Sequence, residues 1–90
     1  EDLFARYGGE EFALVLVEAS PQGASDLAER IRVLVEQKSF EYEGKPFNLT
    51  ISLGVAAVNG EEPVTVNDLL QRADDRLLEA KRTGRNRVVG

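Results

Sequence analysis

Apolar residues form two short runs at the start of the chain. Leu3 to Tyr7 contains two aromatic residues, and Phe12 to Val17 is almost continuously apolar. Gly8-Gly9 lies between the runs, where glycine allows the positive φ angles that tight hairpin turns require. The pattern therefore predicts a β-hairpin. Because the second run lacks polar alternation, we expect that strand to be covered on both faces.

A helical pattern follows this hairpin. Ser20-Pro21 is a typical helix start, with a hydroxyl N-cap and proline at the first helical position. Apolar residues then recur at helical spacing, which predicts an amphipathic helix that ends near Gln37. The residues expected to face the core are Ala24, Leu27, Ala28, Ile31, Leu34 and Val35.

The middle of the chain favours a second, irregular hairpin. Its arms are Phe40 to Tyr42 and the longer Phe47 to Val58, and the turn between them is Glu43-Gly44-Lys45-Pro46. Apolar and small polar residues alternate along the long arm, as is typical of a strand. Asn59 to Pro63 is predicted to be a loop.

The last third of the chain predicts a helix and a short strand. Thr65 and Asp68 have the spacing of a capping box, and Gly84 is suited to end the helix. Asn86 to Val89 is expected to form the final strand, so the predicted order is β-β-α-(ββ)-α-β. The predicted buried face of this helix consists of Val66, Leu69, Leu70, Ala73, Leu77 and Ala80.

Composition narrows the classes of function. Ninety residues suffice for one small domain, and 42% hydrophobic with 30% charged content is typical of globular proteins. The net charge of −5 argues against binding to nucleic-acid polymers. The chain contains no cysteine or histidine, so acid–base or metal chemistry must use Asp, Glu, Lys or Arg. The longest apolar run is too short to span a membrane, and no signal peptide is visible. Since the chain begins at Glu1 and lacks Met, we expect it to be part of a longer protein.

The densest chemical signal is the turn Gly8-Gly9-Glu10-Glu11. The glycines allow close approach of a ligand to the backbone, and the carboxylates are hard oxygen ligands suited to Mg²⁺. Side chains alternate across a strand, so the two glutamates should face opposite ways and differ in role. The alternative is a simple Gly-Gly hairpin that carries two solvated glutamates.

The heptapeptide RYGGEEF, residues 6–12, resembles the GG(D/E)EF signature of diguanylate cyclases. Three further blocks resemble the same family, and the similarity covers essentially all 90 residues, which would form a partial GGDEF domain. The resemblance implies an α+β palm-like fold of the ferredoxin-like, nucleotide-cyclase type, with helices packed on an antiparallel sheet. The three blocks are Leu27 to Arg32, Thr50 to Ala56 and Leu70 to Val88.

The family condenses two GTP molecules into cyclic di-GMP and pyrophosphate in bacterial second-messenger signalling, within a face-to-face homodimer. By this resemblance, Gly8 and Gly9 would form the turn under the nucleotide. Glu10 would bind Mg²⁺ (or Mn²⁺) and accept a proton. Glu11 would assist metal binding and charge stabilisation.

Basic residues near the chain's end match another block of the family. The resemblance assigns Lys81 and Arg85 to the GTP triphosphate, whereas the alternative is that they complement a helix C-terminus. Asp2 occupies the aspartate position of the RxxD product-inhibition motif. Arg30 matches a helix arginine that completes cyclic di-GMP binding from a neighbouring domain, and its alternative is a surface cation.

The 90 residues lack the family's opening β-α-α block, a DxDxFKxxND-like segment that supplies another metal ligand and the guanine readers. We therefore expect this segment alone to be inactive, although a domain that contained both parts would be an enzyme. A catalytically silent module that binds GTP or cyclic di-GMP and regulates a neighbouring domain is the alternative. We expect a cytoplasmic location, with any membrane anchor lying in upstream segments.

The absent block also has a structural consequence. In palm folds the first strand lies in the middle of the sheet, so its loss should leave two unpaired edges and an uncovered Phe12 to Val17 strand. We therefore expect the chain either to pair with a second copy or to belong to a longer ordered protein.

Overall fold

A computed structural model describes residues 2–8, 11–17, 20–58 and 63–90, with the backbone alone for 2–8 and 13–17. Within these residues, two helices pack against a four-stranded sheet, and two further strands form a separate two-stranded sheet. None of the helices described is long and apolar enough to cross a membrane. The elements are β1 (Asp2–Gly8), β2 (Glu11–Val17), α1 (Pro21–Gln37), β3 (Ser39–Tyr42), β4 (Lys45–Asn48), β5 (Ser52–Val58), α2 (Val66–Arg82) and β6 (Val88–Val89).

The main sheet has the strand order β1-β2-β5-β6. β1 and β2 form the predicted antiparallel hairpin. β2 then pairs in parallel with β5, from Glu11 opposite Ser52 to Val17 opposite Val58, and β5 pairs in parallel with β6. The sheet is therefore mixed and not antiparallel throughout, because the crossover through α1 returns the chain in the direction of β2.

The prediction that the sheet would have a gap beside β2 is wrong. β2 pairs on both sides, with β1 from Glu11 to Leu16 and with β5 from Glu11 to Val17. β5 therefore occupies the place beside β2 that we expected to be open. Within one chain the sheet is continuous from β1 to β6, so closing a gap is no longer a reason to expect a second copy.

The predicted helix boundaries are confirmed by the capping bonds. The Ser20 hydroxyl accepts a hydrogen bond of 3.0 Å from the Gly23 N–H at the start of α1. At the start of α2, Thr65 and Asp68 make both bonds of a capping box. Gly84, with φ of 127°, follows the end of α2 as predicted. The starts of both helices could be predicted from the sequence because the capping bonds join residues within one helical turn.

The second predicted hairpin is partly wrong. β3 and β4 pair as a two-stranded sheet around a two-residue turn, Glu43-Gly44, so Lys45 and Pro46 belong to β4 and not to the turn. The predicted long arm is two strands, since β5 leaves the hairpin and joins the main sheet. The rings of Phe40 and Phe47 stack 5.7 Å apart and stabilise the small sheet. In the predicted loop Asn59 to Pro63, residues 59–62 lie outside the described residues.

The core forms where the helices meet β5. Gly54 lies directly against the backbone of α2 at Ala73 and Leu77, so closely that a Cβ would overlap them. Three residues predicted to be buried are exposed, Leu27 at 38%, Leu34 at 68% and Val66 at 58%. Val66 is the first residue of α2, and its side chain lies outside the contact with β5. The buried apolar residues are Ala24, Ala28, Ile51, Leu53, Val55, Ala56, Val58, Leu69, Ala73, Leu77 and Ala80.

Candidate functional site

Glu11, Lys81 and Arg85 form an ion-pair cluster at the start of β2. One Glu11 oxygen, Oε1, lies 3.1 Å from Lys81 Nζ, and the other, Oε2, lies 3.3 Å from Arg85 Nη1. Sequence analysis selected these three residues from two separate blocks. The structure brings them together, and we call them the Glu11 cluster.

The end of α2 positions the two cations. Lys81 lies in the last turn of the helix. Beyond the helix end, the Arg85 N–H donates a bond of 2.9 Å to the Ala80 carbonyl. This bond, together with the positive φ of Gly84, is the pattern of a Schellman motif, which reverses the chain after a helix. The reversal places Arg85 and Lys81 on either side of the Glu11 carboxylate.

The electrostatics of the cluster favour ionised Glu11. The hydrogen bond from Lys81 is the largest cause that lowers the pKa of Glu11, and Arg85 lowers it further, while partial desolvation opposes both. Side-chain exposure is 21% for Glu11, 31% for Lys81 and 55% for Arg85. The cations are thus accessible to a ligand and carry more positive charge than Glu11 neutralises.

A cavity of about 300 Å³ adjoins the cluster. Glu11 and Lys81 line it, together with Leu77, Leu78 and Asp74 of α2. Asp74 Oδ1 is buried and accepts no hydrogen bond from any described residue. The sequence analysis did not select Asp74. Asp74 precedes Lys81 by two helical turns and so lies on the same face of α2, which is the sequence feature that could have identified it.

The carboxylates near the cavity suit a metal ion that is also bound by a phosphate ligand better than one held by protein side chains alone. Among the residues described, no group of three or more carboxylates is arranged to hold a metal. Glu11 and Asp74 nevertheless offer hard oxygen atoms to one cavity. Mg²⁺ is commonly held by one or two carboxylates, with phosphates and water completing its six ligands. The residues therefore fit a magnesium ion that arrives with a phosphate ligand.

Of the other predicted site residues, Gly8 lies beside the cluster, opposite Glu11, whereas Asp2 and Arg30 lie apart from it. Gly8 ends β1, where the strand register shifts after Arg6, whereas Gly9 and Glu10 lie outside the described residues. Asp2 is at the opposite end of β1, paired with Leu16. Arg30 is exposed on α1 beside a shallow cavity, so neither it nor Asp2 belongs to the Glu11 cluster.

Comparison with known proteins supports the resemblance over the same residues. The family model described as "Diguanylate cyclase, GGDEF domain" matches residues 1–87. Diguanylate cyclase A of Treponema denticola is 48% identical over 88 residues, which are 98% of this chain and 24% of that protein. Response regulator PleD of Caulobacter vibrioides is 44% identical over 91 aligned positions, covering 99% of this chain and 20% of that protein. The chain thus spans about a quarter or less of these relatives.

A solved structure extends the similarity to the fold. The crystal structure of the GGDEF domain of DgcB from Caulobacter crescentus, in complex with c-di-GMP, superposes with a TM-score of 0.72 at 32% identity. The match covers 98% of this chain and 52% of that one. The predicted palm-like α+β class is therefore confirmed.

Proposed function

The chain belongs to the GGDEF family of diguanylate cyclases, and from this premise we propose that it supplies part of a domain that condenses two GTP molecules into cyclic di-GMP. The observation that supports this proposal is the Glu11 cluster, in which one carboxylate and two accessible cations meet beside a cavity. Phosphoryl chemistry on GTP requires such cations to bind the triphosphate and a carboxylate to share its metal ion.

Lys81 and Arg85 are the proposed triphosphate ligands. Lysine supplies a compact ammonium charge, and arginine supplies a planar fork that can donate two parallel hydrogen bonds to phosphate oxygens. Without nucleotide, Glu11 satisfies one donor of each side chain. An incoming triphosphate would replace this single carboxylate with several oxygens of greater total charge, so the exchange favours the nucleotide.

The same exchange releases Glu11. Its carboxylate would then hold Mg²⁺ (or Mn²⁺) together with Glu10, with phosphate oxygens as the other ligands. The metal ion, when bound, neutralises charge on the reacting phosphate. Glu10 is the proposed acceptor of the proton from the attacking 3′-hydroxyl. Before the nucleotide binds, Lys81 and Arg85 lower the pKa of Glu11 and so favour its ionised form.

The remaining partners are proposed from the family. Two domains that face each other would each bind one GTP, so that the 3′-hydroxyl of one attacks the α-phosphate of the other. The bond between the α- and β-phosphates breaks, and pyrophosphate leaves. Asp2 and Arg30 would bind the product as an inhibitor, with Arg30 reaching a neighbouring domain from its exposed position on α1. These reactions belong to a bacterial cytoplasm, where GTP is available.

Turnover by the full-length protein tests the proposal. We expect cyclic di-GMP to form from GTP with Mg²⁺, and Glu10→Ala to abolish the product. The matched control is Glu41→Ala, which removes an exposed glutamate of β3 outside the proposed site. Wild-type rates in Glu10→Ala would overturn the role of Glu10. Tight GTP binding without any product in the wild-type protein would favour a silent regulatory module.

We also expect the 90 residues alone to form no cyclic di-GMP, because the expected guanine readers and second metal-binding aspartate lie outside them. The same assay measures this, and product from the isolated chain would contradict it.

A further inference from the structure

The segment that joins α2 to β6, residues 83–87, has an unusual backbone. Gly84, Arg85 and Asn86 have φ angles of 127°, 62° and 47°. Glycine adopts positive φ readily and asparagine tolerates it, but arginine gains nothing from it locally. Three such residues in succession require other contacts that hold them, and we call this segment the α2–β6 connector.

Asn86 provides the contacts that hold the connector to α1. Its side-chain Oδ1 accepts a hydrogen bond of 2.9 Å from Arg32 Nη1. Its Nδ2 donates one of 2.6 Å to Glu36 Oε2. Arg32 and Glu36 also pair with each other at 3.4 Å. Both ends of the amide are therefore satisfied by one charged pair, one helical turn apart on α1.

Arg32 is also held in place by Glu29 on the same helix. Its Nε and Nη2 donate bonds of 2.8 and 2.6 Å to the two Glu29 oxygens. The Arg32 side chain is 15% exposed, and these contacts raise its pKa above the usual value. The guanidinium therefore presents a permanently charged donor to Asn86 in a fixed orientation.

The backbone of Asn86 is tied to the sheet as well. Its N–H donates a bond of 3.1 Å to the Ser52 hydroxyl, and Ser52 is 2% exposed. Ser52 opens β5 and pairs with Glu11 in the neighbouring strand. Asn86, which directly follows Arg85, is thus bonded both to α1 and to Ser52, the residue opposite Glu11.

We propose that Asn86 is a positioning residue that aims Arg85 at the phosphate-binding side of the Glu11 cluster. Arg85 is 55% exposed, and its guanidinium reaches Glu11 over 3.3 Å. Such an exposed pair is too weak by itself to fix a long side chain. Its direction must therefore come from the backbone, which the bond between the Arg85 N–H and the Ala80 carbonyl holds on one side and Asn86 holds on the other. The proposal rests on the proposed function for the identity of the ligand, a nucleoside triphosphate.

A purely structural role for Asn86 predicts different behaviour. In that case its loss would lower stability without selectively changing the order of Arg85. The two roles are separated by measuring unfolding and Arg85 order in the same variants.

The test uses the full-length protein and three substitutions. Asn86→Gly retains easy access to positive φ but removes both side-chain bonds, so it should fold. Arg32→Gln removes the charged donor from α1 and leaves the connector sequence unchanged. Asn67→Ala is the matched control, because Asn67 is an exposed asparagine in the first turn of α2. The readouts are the ¹⁵N order parameter of Arg85 Nε and calorimetric binding of GTP with Mg²⁺.

We expect Asn86→Gly and Arg32→Gln to lower the Arg85 order parameter and to weaken GTP binding about fivefold to tenfold, as the loss of one oriented ionic hydrogen bond would. Asn67→Ala should change neither quantity. An unchanged order parameter in folded Asn86→Gly would overturn the proposal. A wild-type protein that fails to bind GTP would overturn the proposed function. The order parameter of Arg85 Nε is measured without nucleotide, so it would still test the role of Asn86.

Discussion

Arg85 donates a hydrogen bond of 3.3 Å to Glu11 across 74 positions of sequence. Lys81 approaches the other oxygen of the same carboxylate at 3.1 Å. This relationship links the signature turn to the end of the last helix. In the proposed function, a phosphate ligand would compete with Glu11 for the same two cations.

The competition predicts opposite effects of Glu11→Gln with and without metal. Without a divalent cation, we expect inorganic triphosphate to bind about threefold to tenfold more tightly to the variant, because no carboxylate must be displaced from Lys81 and Arg85. With Mg²⁺, we expect GTP to bind more weakly, because a metal-binding oxygen is lost. Calorimetric titrations with and without a chelator measure both effects.

Glu79→Gln is the control for Glu11→Gln, since Glu79 is an exposed glutamate near the same end of α2. It should leave both affinities close to wild type. A change of the same sign with and without Mg²⁺ in Glu11→Gln would contradict the exchange of partners.

The contact between Gly54 and α2 predicts a large loss of stability in Gly54→Ala. A Cβ at this position would overlap backbone atoms of Ala73 and Leu77, and backbone cannot rotate away as a side chain can. We expect the free energy of unfolding to fall by about 3 kcal/mol or more. Urea denaturation measures this, with far-ultraviolet circular dichroism to follow α2.

Gly44→Ala is the matched control for Gly54→Ala. Gly44 has φ of 78°, but no atom lies within 4 Å of the place that its Cβ would occupy. The cost there is the strain of positive φ alone, about 1 to 2 kcal/mol. Equal losses in the two variants would show that close packing of α2 on β5 is not what Gly54 provides.

The Glu29–Arg32 pair predicts how stability depends on pH. The hydrogen bond from Arg32 is the main cause that lowers the pKa of Glu29 in the folded chain below its ordinary value of 4.5, and desolvation opposes it. The pair therefore stabilises the folded state fully above that ordinary value, and this contribution is lost as the pH falls through the lowered pKa. Since Glu29 is 51% exposed, we expect a small effect.

Urea unfolding at neutral pH and at about pH 3 measures this dependence. Glu29→Gln should lose stability at neutral pH and show a shallower decline on acidification than the wild-type protein. Asp26→Asn, at an exposed position of the same helix, is the control and should leave Arg32 paired. Parallel pH dependence in Glu29→Gln and wild type would contradict the assignment.

Sequence predicted best what short-range contacts determine. The starts of α1 and α2 depend on Ser20 and Thr65 bonding within a single turn, and both were predicted correctly. The pairing of β5 with β2 depends on contacts between distant strands, and strand alternation does not specify a neighbour. For the same reason, the exposure of Leu34 could not be predicted from helical spacing.

The candidate site shows the same division. Motif resemblance selected Glu11, Lys81 and Arg85, and the structure adds their contact geometry. Motif resemblance does not select Asp74 or Asn86 as functional residues. Asp74 stands out by a buried oxygen that accepts no hydrogen bond from a described residue. Asn86 stands out by bonds to Arg32 and Glu36, which precede it by 54 and 50 positions. Neither property can be predicted from the sequence, in which Asp74 differs from other acidic residues only by sharing a helix face with Lys81.

The most direct test of the central claim, that Lys81 and Arg85 bind the GTP triphosphate, compares affinities for GTP and GMP in the full-length protein with Mg²⁺. The ratio of the two affinities isolates the contribution of the β- and γ-phosphates. We expect wild type and Arg82→Gln, which alters an exposed cation at the same helix end, to prefer GTP strongly. The double variant Lys81→Gln, Arg85→Gln should lose most of that preference, while its affinity for GMP changes little. An undiminished preference for GTP in the double variant would contradict the account.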